Sequence, residues 1–198
     1  MDLEQRIRQQ FESSASTALD TSAAIGAEIL QAAQRVVTTH GQQGKTLICG
    51  NGGSAADALH FSAELLCRYQ RERPPLAAIA LSADTATITA TANDYAFDQI
   101  FSRQINALGR PGDLLITITT SGNSPNILEA VKAAAGIGLD VVALTGRGGG
   151  ALAGLLRETD IELRIPSDST ARIQEAHAII IHSICDLIDL HITGEFQL

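Results

Sequence analysis

Short apolar and β-branched runs alternate along the chain with segments whose apolar residues recur at helical spacing. Five of these runs are predicted to form strands, at residues 46–49, 77–81, 114–119, 141–144 and 161–165. Runs that are apolar at almost every position, such as residues 114–118, are typical of strands buried on both faces. Because strands and helices alternate, we expect crossover helices to join the strands. The pattern therefore predicts an α/β layered fold with a parallel sheet.

Residues 1–42 contain no predicted strand. Their apolar positions suit two helices ahead of the first strand: Ile7, Phe11, Ile25, Ile29 and Val36. The two helices are longer than is needed to cover one edge of the sheet, and this leaves two interpretations open. The helices either cover the core of their own domain or pack on another subunit. No internal repeat or long linker is present, so residues 1–198 are predicted to form one domain.

The loops that follow the strands carry most of the polar residues. Ligands of parallel sheets bind beyond the carboxyl ends of the strands, so the loops after Gly50, Leu81, Thr119 and Thr145 should share one edge. The first of these loops is a glycine-rich turn, residues 50–55, between a strand and a helix. The unpaired N–H groups and the dipole at such a helix start favour an anion.

Three interpretations of this glycine-rich turn stay open. It binds a phosphate, it binds a dinucleotide, or it only permits close packing of strand and helix. The residues match the G-x-G-x-x-A pattern of dinucleotide-binding proteins. However, the second strand does not end in the acidic residue that such a site needs, which weighs against a dinucleotide.

A second polar loop, residues 119–124, also lies between a strand and a helix. Ser124 suits the helix cap. Capping accounts for one hydroxyl, whereas the loop offers four, from Thr119, Thr120, Ser121 and Ser124. Because this loop contains no G-K-[ST] motif, we expect hydroxyl and N–H groups to hold a phosphate for positioning and not for transfer. The predicted substrate is a phosphorylated small molecule.

Reactive side chains occur on two predicted helices. His60 and Glu64 are four residues apart, so both project to one face of the helix after the glycine-rich turn. On the last helix, Gln174 and His182 are eight residues apart, which is about 12 Å along the axis. They can flank a common site only from its two ends or from neighbouring subunits, which predicts a homo-oligomer with a shared site. His177 on the same helix is expected to be a core residue.

Composition excludes several classes of partner. The net charge of −8 argues against a nucleic-acid surface or an anionic membrane as the main partner. The three cysteines are far apart and form no C-x-x-C pair, so neither a disulfide framework nor a cysteine metal site is expected. The start of the chain has no basic segment followed by an apolar one. These features favour a cytoplasmic protein.

Taken together, the motifs resemble those of the SIS-domain sugar isomerases, most closely the phosphoheptose isomerase family, over nearly the whole chain. The resemblance rests on residues 49–54, His60 with Glu64, residues 93–94, residues 120–124, and residues 172–175 with His182. It implies a flavodoxin-like, three-layer α/β/α sandwich with a five-stranded parallel sheet and an N-terminal helical extension. It also implies a homotetramer with sites at subunit interfaces. The implied reaction converts sedoheptulose 7-phosphate to D-glycero-D-manno-heptose 7-phosphate, for the heptose of the lipopolysaccharide core.

The same resemblance assigns roles to individual residues. Catalysis falls on Glu64 and His182. In zinc-containing members, one ion per site is coordinated at the positions of His60, Glu64, Gln174 and His182, which makes zinc the expected cofactor. The implied substrate contacts are Asn51, Gly52, Gly53, Ser54, Glu64, Asn93, Asp94, Thr119, Thr120, Ser121, Ser124 and Gln174.

A near relative provides an alternative function. The DiaA branch of the same fold associates with the replication initiator DnaA and is not known for isomerase chemistry. That branch lacks the residues at Glu64 and His182 and has an arginine at the position of Ser121. All three residues are intact in this chain, which favours the enzyme.

Overall fold

The computed structural model describes residues 2–198 and contains one five-stranded, all-parallel sheet. The strands lie in the order β2-β1-β3-β4-β5, which is the flavodoxin-like order. Their bounds are β1 Thr46–Gly50, β2 Ala78–Ala80, β3 Leu114–Ile118, β4 Asp140–Gly146 and β5 Ile161–Ile165. All five predicted strands are present, so the predicted fold class is confirmed. The largest differences are a shorter β2 and a longer β4.

Seven α-helices accompany the strands in the described residues. Each of the four steps from one strand to the next contains at least one helix, as parallel pairing requires. A short 3₁₀ helix, Phe97–Gln99, precedes the fourth α-helix. The α-helices are α1 Leu3–Gly41, α2 Gly53–Leu66, α3 Thr85–Asp94, α4 Ser102–Leu108, α5 Pro125–Ile137, α6 Gly150–Ala153 and α7 Thr170–Ile192.

Two apolar cores, one on each face of the sheet, make the three layers. Successive strand residues point to opposite faces, so Ile48 belongs to one core and Leu47 to the other. The Ile48 core is covered by α1, α2 and α7, and Phe61 of α2 is buried there. The Leu47 core is covered mainly by α4 and α5, and it also buries Phe101. The first core therefore places α2 and α7, which carry the predicted reactive residues, side by side.

The N-terminal region forms the two helices that were predicted. They run on as one helical segment, α1, and meet at a kink at Ile25, the one residue in it with non-helical dihedral angles (φ −134°, ψ 21°). After this bend the helix packs on the domain core, and Ala32 and Val36 are fully buried. Before it, the apolar side chains Ile7 and Phe11 are 59% and 74% exposed. The interpretation that this region covers the core of its own domain therefore holds only for the half of α1 after Ile25.

No helix within residues 2–198 is both long enough and apolar enough to cross a bilayer. All three cysteines are free thiols, and Cys49 and Cys185 are buried.

Two phenylalanines four residues apart test the core on the α4–α5 side. Phe101 is 1% exposed and Phe97 is 59% exposed. We predict that Phe101→Ala lowers the free energy of unfolding by about 3–5 kcal/mol, because it removes buried apolar surface and leaves a cavity. Phe97→Ala should change it by only about 0.5 kcal/mol. Urea denaturation of both variants measures the difference, and equal losses would contradict this assignment of the core.

Candidate active site

The glycine-rich turn begins where β1 ends, and its geometry depends on residues without side chains. Gly52 has φ 57° and caps the start of α2, a backbone conformation that other residues rarely adopt. Gly53 lies directly beneath the amide of Gln174, which would collide with any Cβ at that position. A larger residue at position 53 would push the flexible end of the Gln174 side chain away from the start of α2.

Asn51 is held in place from a neighbouring helix. Its side-chain amide exchanges two hydrogen bonds of 2.8 Å with the amide of Asn126, which is 1% exposed at the start of α5. This pairing links the glycine-rich turn to the hydroxyl-bearing loop that precedes α5.

A cavity of about 320 Å³ lies between these two loops. We name residues 119–124 the hydroxyl loop. All predicted substrate contacts in the glycine-rich turn and in the hydroxyl loop line the cavity, together with Gln174 and Thr170 of α7. We name this space the hydroxyl cavity. The carboxyl ends of β1 and β3 are adjacent in the sheet, which is why two loops 70 residues apart in the chain meet here.

The hydroxyl loop is stiffened by its own hydrogen bonds. The backbone N–H of Gly122 donates to Thr119 Oγ1, and that of Asn123 donates to Ser121 Oγ, both at 3.2 Å. Asn123 Oδ1 accepts from the backbone N–H of Ala151 at 2.9 Å, which ties the loop to α6. Ser124 occupies the predicted cap position of α5, but its side chain makes no capping bond. Its hydroxyl is therefore not committed to the helix.

A second group, the acid–base cluster, consists of His60, Glu64 and His182. His60 Nε2 lies 3.1 Å from Glu64 Oε1 and 3.4 Å from His182 Nε2. The side chains of His60 and Glu64 are 40% and 20% exposed, and Tyr69 stacks on the His182 ring with 5.4 Å between centroids. Helices α2 and α7 thus bring together the three residues, which lie up to 122 positions apart in sequence.

Gln174 is not part of this cluster within the chain. It contacts Gly53 at the start of α2, whereas His182 contacts His60. Seven residues separate Gly53 from His60, which is about 10 Å along a helix. The two helices therefore run parallel, with Gln174 at one end of their contact and His182 farther along.

The donor atoms of the acid–base cluster suit zinc, although they are not preformed as a metal site. Imidazole nitrogen and carboxylate oxygen are zinc ligands, and two ligands of a tetrahedral ion lie about 3.3 Å apart, close to the His60–Glu64 and His60–His182 separations. Within residues 2–198, no three His, Cys, Asp or Glu side chains are arranged as a ready metal site. Zinc binding to this set therefore requires at least one side chain to reorient.

Asn93 and Asp94 lie apart from both groups. They end α3, where Asn93 Nδ2 donates to Asp94 Oδ1 at 2.8 Å. Asp94 borders a separate space of about 520 Å³ between α3 and α4, in which the Arg103 guanidinium lies 3.7 Å above the Tyr95 ring. Within a single chain, the structure does not bring this pair to the other predicted substrate contacts.

His177 is a core residue, as predicted. It is fully buried, and its Nε2 lies 3.0 Å from the Thr145 carbonyl oxygen. Burial lowers the pKa of His177 to about 4, so the ring is neutral at neutral pH.

Asp57 is a residue that the sequence analysis missed. It lies on α2 four residues after Gly53 and three before His60, so it shares their face of the helix. Its Oδ2 is buried and has no hydrogen-bond partner in the described part of the chain. Burial raises the pKa of Asp57, and the nearby His60 opposes that rise. Its helical spacing from His60 and Glu64 was the available signal.

Comparisons with known proteins agree with this architecture. Residues 10–146 match the SIS domain family. A phosphoheptose isomerase of Azoarcus sp. is 54% identical over 194 residues, which cover 98% of each chain. The structure of a phosphoheptose isomerase from Francisella tularensis has a TM-score of 0.93 and 49% identity, covering 96% of this chain and 99% of that one. Phosphoheptose isomerase GmhA from Neisseria gonorrhoeae gives a TM-score of 0.90 and 47% identity, covering 94% and 98%.

The match to the SIS domain spans more than half of the chain, and these relatives align with nearly all of it. The chain therefore belongs to the SIS-domain family and, within it, to the phosphoheptose isomerases.

Proposed function

We propose that the protein is a sugar-phosphate isomerase that converts sedoheptulose 7-phosphate to D-glycero-D-manno-heptose 7-phosphate. The observation that carries this proposal is the convergence of Glu64 and His182 from two helices. A carboxylate and an imidazole are the groups that a ketose–aldose isomerisation needs, because it moves one proton between carbons and another between oxygens.

The hydroxyl cavity is the proposed phosphate site. The hydroxyls of the loop and the helix starts at Gly53 and Pro125 offer neutral donors to an anion. None of the side chains that line the cavity is charged. Such a site orients a phosphate without activating it, which suits a reaction that leaves the phosphate bond intact.

The proposed chemistry proceeds through an enediol. Glu64 removes a proton from C1 of the ketose and later returns it to C2. His182 donates a proton to the oxygen on C2 and accepts one from the oxygen on C1, so that the aldehyde forms at C1. These transfers balance without an oxidant or a reductant, and both side chains finish in their starting protonation states.

Zinc is the proposed cofactor, one ion per site. His60, Glu64 and His182 would hold it, and their donor atoms suit this ion. Because zinc ligation and action as a base compete for Glu64, this residue would serve both roles by changing its coordination. When bound, zinc would polarise the substrate carbonyl and stabilise negative charge on the enediolate oxygens. Gln174 is the fourth proposed ligand, and its place over Gly53 means that a second copy of the chain would have to supply it.

We propose a homotetramer with its sites at subunit interfaces. Two observations support a shared site: the separation of Gln174 from the acid–base cluster, and that of Asn93 and Asp94 from the hydroxyl cavity. The exposed apolar residues in the first half of α1 offer a surface for a neighbouring subunit. Neither a nucleic acid nor a membrane is a proposed partner, given the net charge of −8.

We place the enzyme in the cytoplasm, at the step that supplies heptose for the lipopolysaccharide core. The three free cysteines fit a reducing compartment. The alternative, a DiaA-like protein without catalysis that binds the replication initiator, has less support, because the relatives described above are isomerases. A pull-down with the initiator, run beside the isomerase assay, separates the two functions.

The first prediction from the proposed function concerns the proposed base. Glu64→Gln should lower kcat for sedoheptulose 7-phosphate by about 10²–10⁴-fold, because the amide cannot accept the carbon-bound proton. Glu72→Gln is the matched control, since the Glu72 side chain is 92% exposed and pairs only with Arg68. Aldose formation followed by NMR, with circular dichroism to confirm folding, gives the measurement. Substantial activity in a folded Glu64→Gln variant would refute the assignment.

The second prediction concerns the phosphate site. Ser124→Ala should raise KM about tenfold, the equivalent of about 1.4 kcal/mol, because it removes one donor to the phosphate. The melting temperature should be unchanged, since this hydroxyl makes no capping bond. Ser102→Ala, in α4, is the control. An unchanged KM in a steady-state titration with sedoheptulose 7-phosphate would argue against a phosphate contact at Ser124.

A further inference from the structure

One buried arginine anchors the segment that joins α2 to β2. The side chain of Arg73 is 0% exposed, unlike those of Arg68 and Arg71 in the same segment. Its Nη2 donates to the Glu64 carbonyl oxygen at 2.7 Å, and its Nη1 donates to those of Leu65 at 3.0 Å and Pro74 at 3.1 Å. The guanidinium therefore satisfies carbonyls in the last turn of α2, which have no partner within the helix.

Arg73 is paired with a buried aspartate of α7. Its Nε donates to Asp189 Oδ1 at 2.7 Å, and the Asp189 side chain is also 0% exposed. The other oxygen, Oδ2, accepts the backbone N–H groups of Gln70 and Arg71, both at 2.9 Å. Burial alone would raise the pKa of Asp189, but these N–H donors and Arg73 outweigh it and lower the pKa. The aspartate is therefore charged at neutral pH.

The pair joins the two helices that carry the proposed catalytic groups. Arg73 bonds the backbone carbonyl of Glu64 itself. Asp189 follows His182 by seven residues on α7, which is two turns along nearly the same face of the helix. A change in the Arg73–Asp189 contact would therefore move the Glu64 backbone relative to α7, and with it the separation of Glu64 from His182.

Stability alone does not account for this arrangement. Burying two charges carries a desolvation cost, and an apolar pair of similar volume is often as stable as a buried ion pair. An apolar pair cannot, however, bond the carbonyls of Glu64 and Leu65 or the backbone N–H groups of the following segment. The charged pair makes directional hydrogen bonds, and it makes them at the end of α2 that bears Glu64.

We propose that Arg73 and Asp189 are positioning residues of the isomerase, which hold Glu64 in register with His182 without touching the substrate. This inference rests on the proposed function. Reaction rates depend steeply on such placement, since a shift of about 1 Å in a reacting group can cost about 10²-fold in rate.

The test replaces the pair by apolar side chains. The double variant Arg73→Met, Asp189→Leu should fold with a lowered melting temperature, because it leaves the carbonyls and backbone N–H groups that the pair bonds without these partners, so kcat is compared per folded molecule. Its kcat should fall about 10–100-fold while KM for sedoheptulose 7-phosphate stays within about threefold, because the hydroxyl cavity is unaffected. A merely structural role would lower stability and leave kcat per folded molecule unchanged.

Two single variants complete the experiment. Arg71→Ala is the matched control, because Arg71 comes from the same segment, pairs at the surface with Glu195 and keeps its backbone donor to Asp189. It should retain wild-type kcat. Arg73→Lys keeps the charge but has only three N–H donors, too few for the four bonds that Arg73 makes. It should therefore lower kcat at constant KM even if the double variant does not fold.

The outcomes separate the two proposals. Wild-type kcat in a folded double variant, or in folded Arg73→Lys, would overturn the positioning role while leaving the isomerase assignment intact. An inactive wild-type enzyme would instead overturn the isomerase assignment, and the positioning role with it.

Discussion

The parallel packing of α2 against α7 on one face of the sheet is the constraint on which the candidate site depends. Gly53 lies against Gln174 at one end of this contact, and His60 lies against His182 two turns farther along. Because both helices rise by 1.5 Å per residue, fixing one contact fixes the other. The sheet determines where the two helices begin. The alignment of the helices along each other then determines which polar side chains meet.

The register has local requirements at both ends. At the start of α2, Gly53 leaves free the space that the Gln174 amide occupies. At the other end, the Arg73–Asp189 ion pair replaces the hydrogen bonds that the last turn of α2 lacks. Between these ends, the buried side chains of Ala58, Phe61 and Leu65 hold α2 in the core, with His60 and Glu64 facing His182.

Much of this architecture follows from local sequence patterns, because buried parallel strands are apolar runs and helical faces repeat every three to four residues. The hydroxyl loop is likewise a local feature, visible as four hydroxyls in residues 119–124. The Arg73–Asp189 pair could not be predicted, since it joins positions 116 residues apart and neither residue lies in a recognisable motif. The division of residues 1–42 into two helices was predicted, but the exposure of the first half was not, because the exposed and buried halves of α1 carry similar apolar residues.

The separation of the site residues within one chain has a physical consequence. The acid–base cluster and the hydroxyl cavity are displaced by about 10 Å along α2, and Asn93 with Asp94 lies in a third place. A monomer would hold these groups as partial sites, each with polar atoms that lack a ligand. In the proposed homotetramer, association would bring such parts together without any change in the fold, and it would also bury the exposed apolar start of α1. Catalysis and assembly would then depend on the same contacts, and the proposed homotetramer would itself be part of the active site.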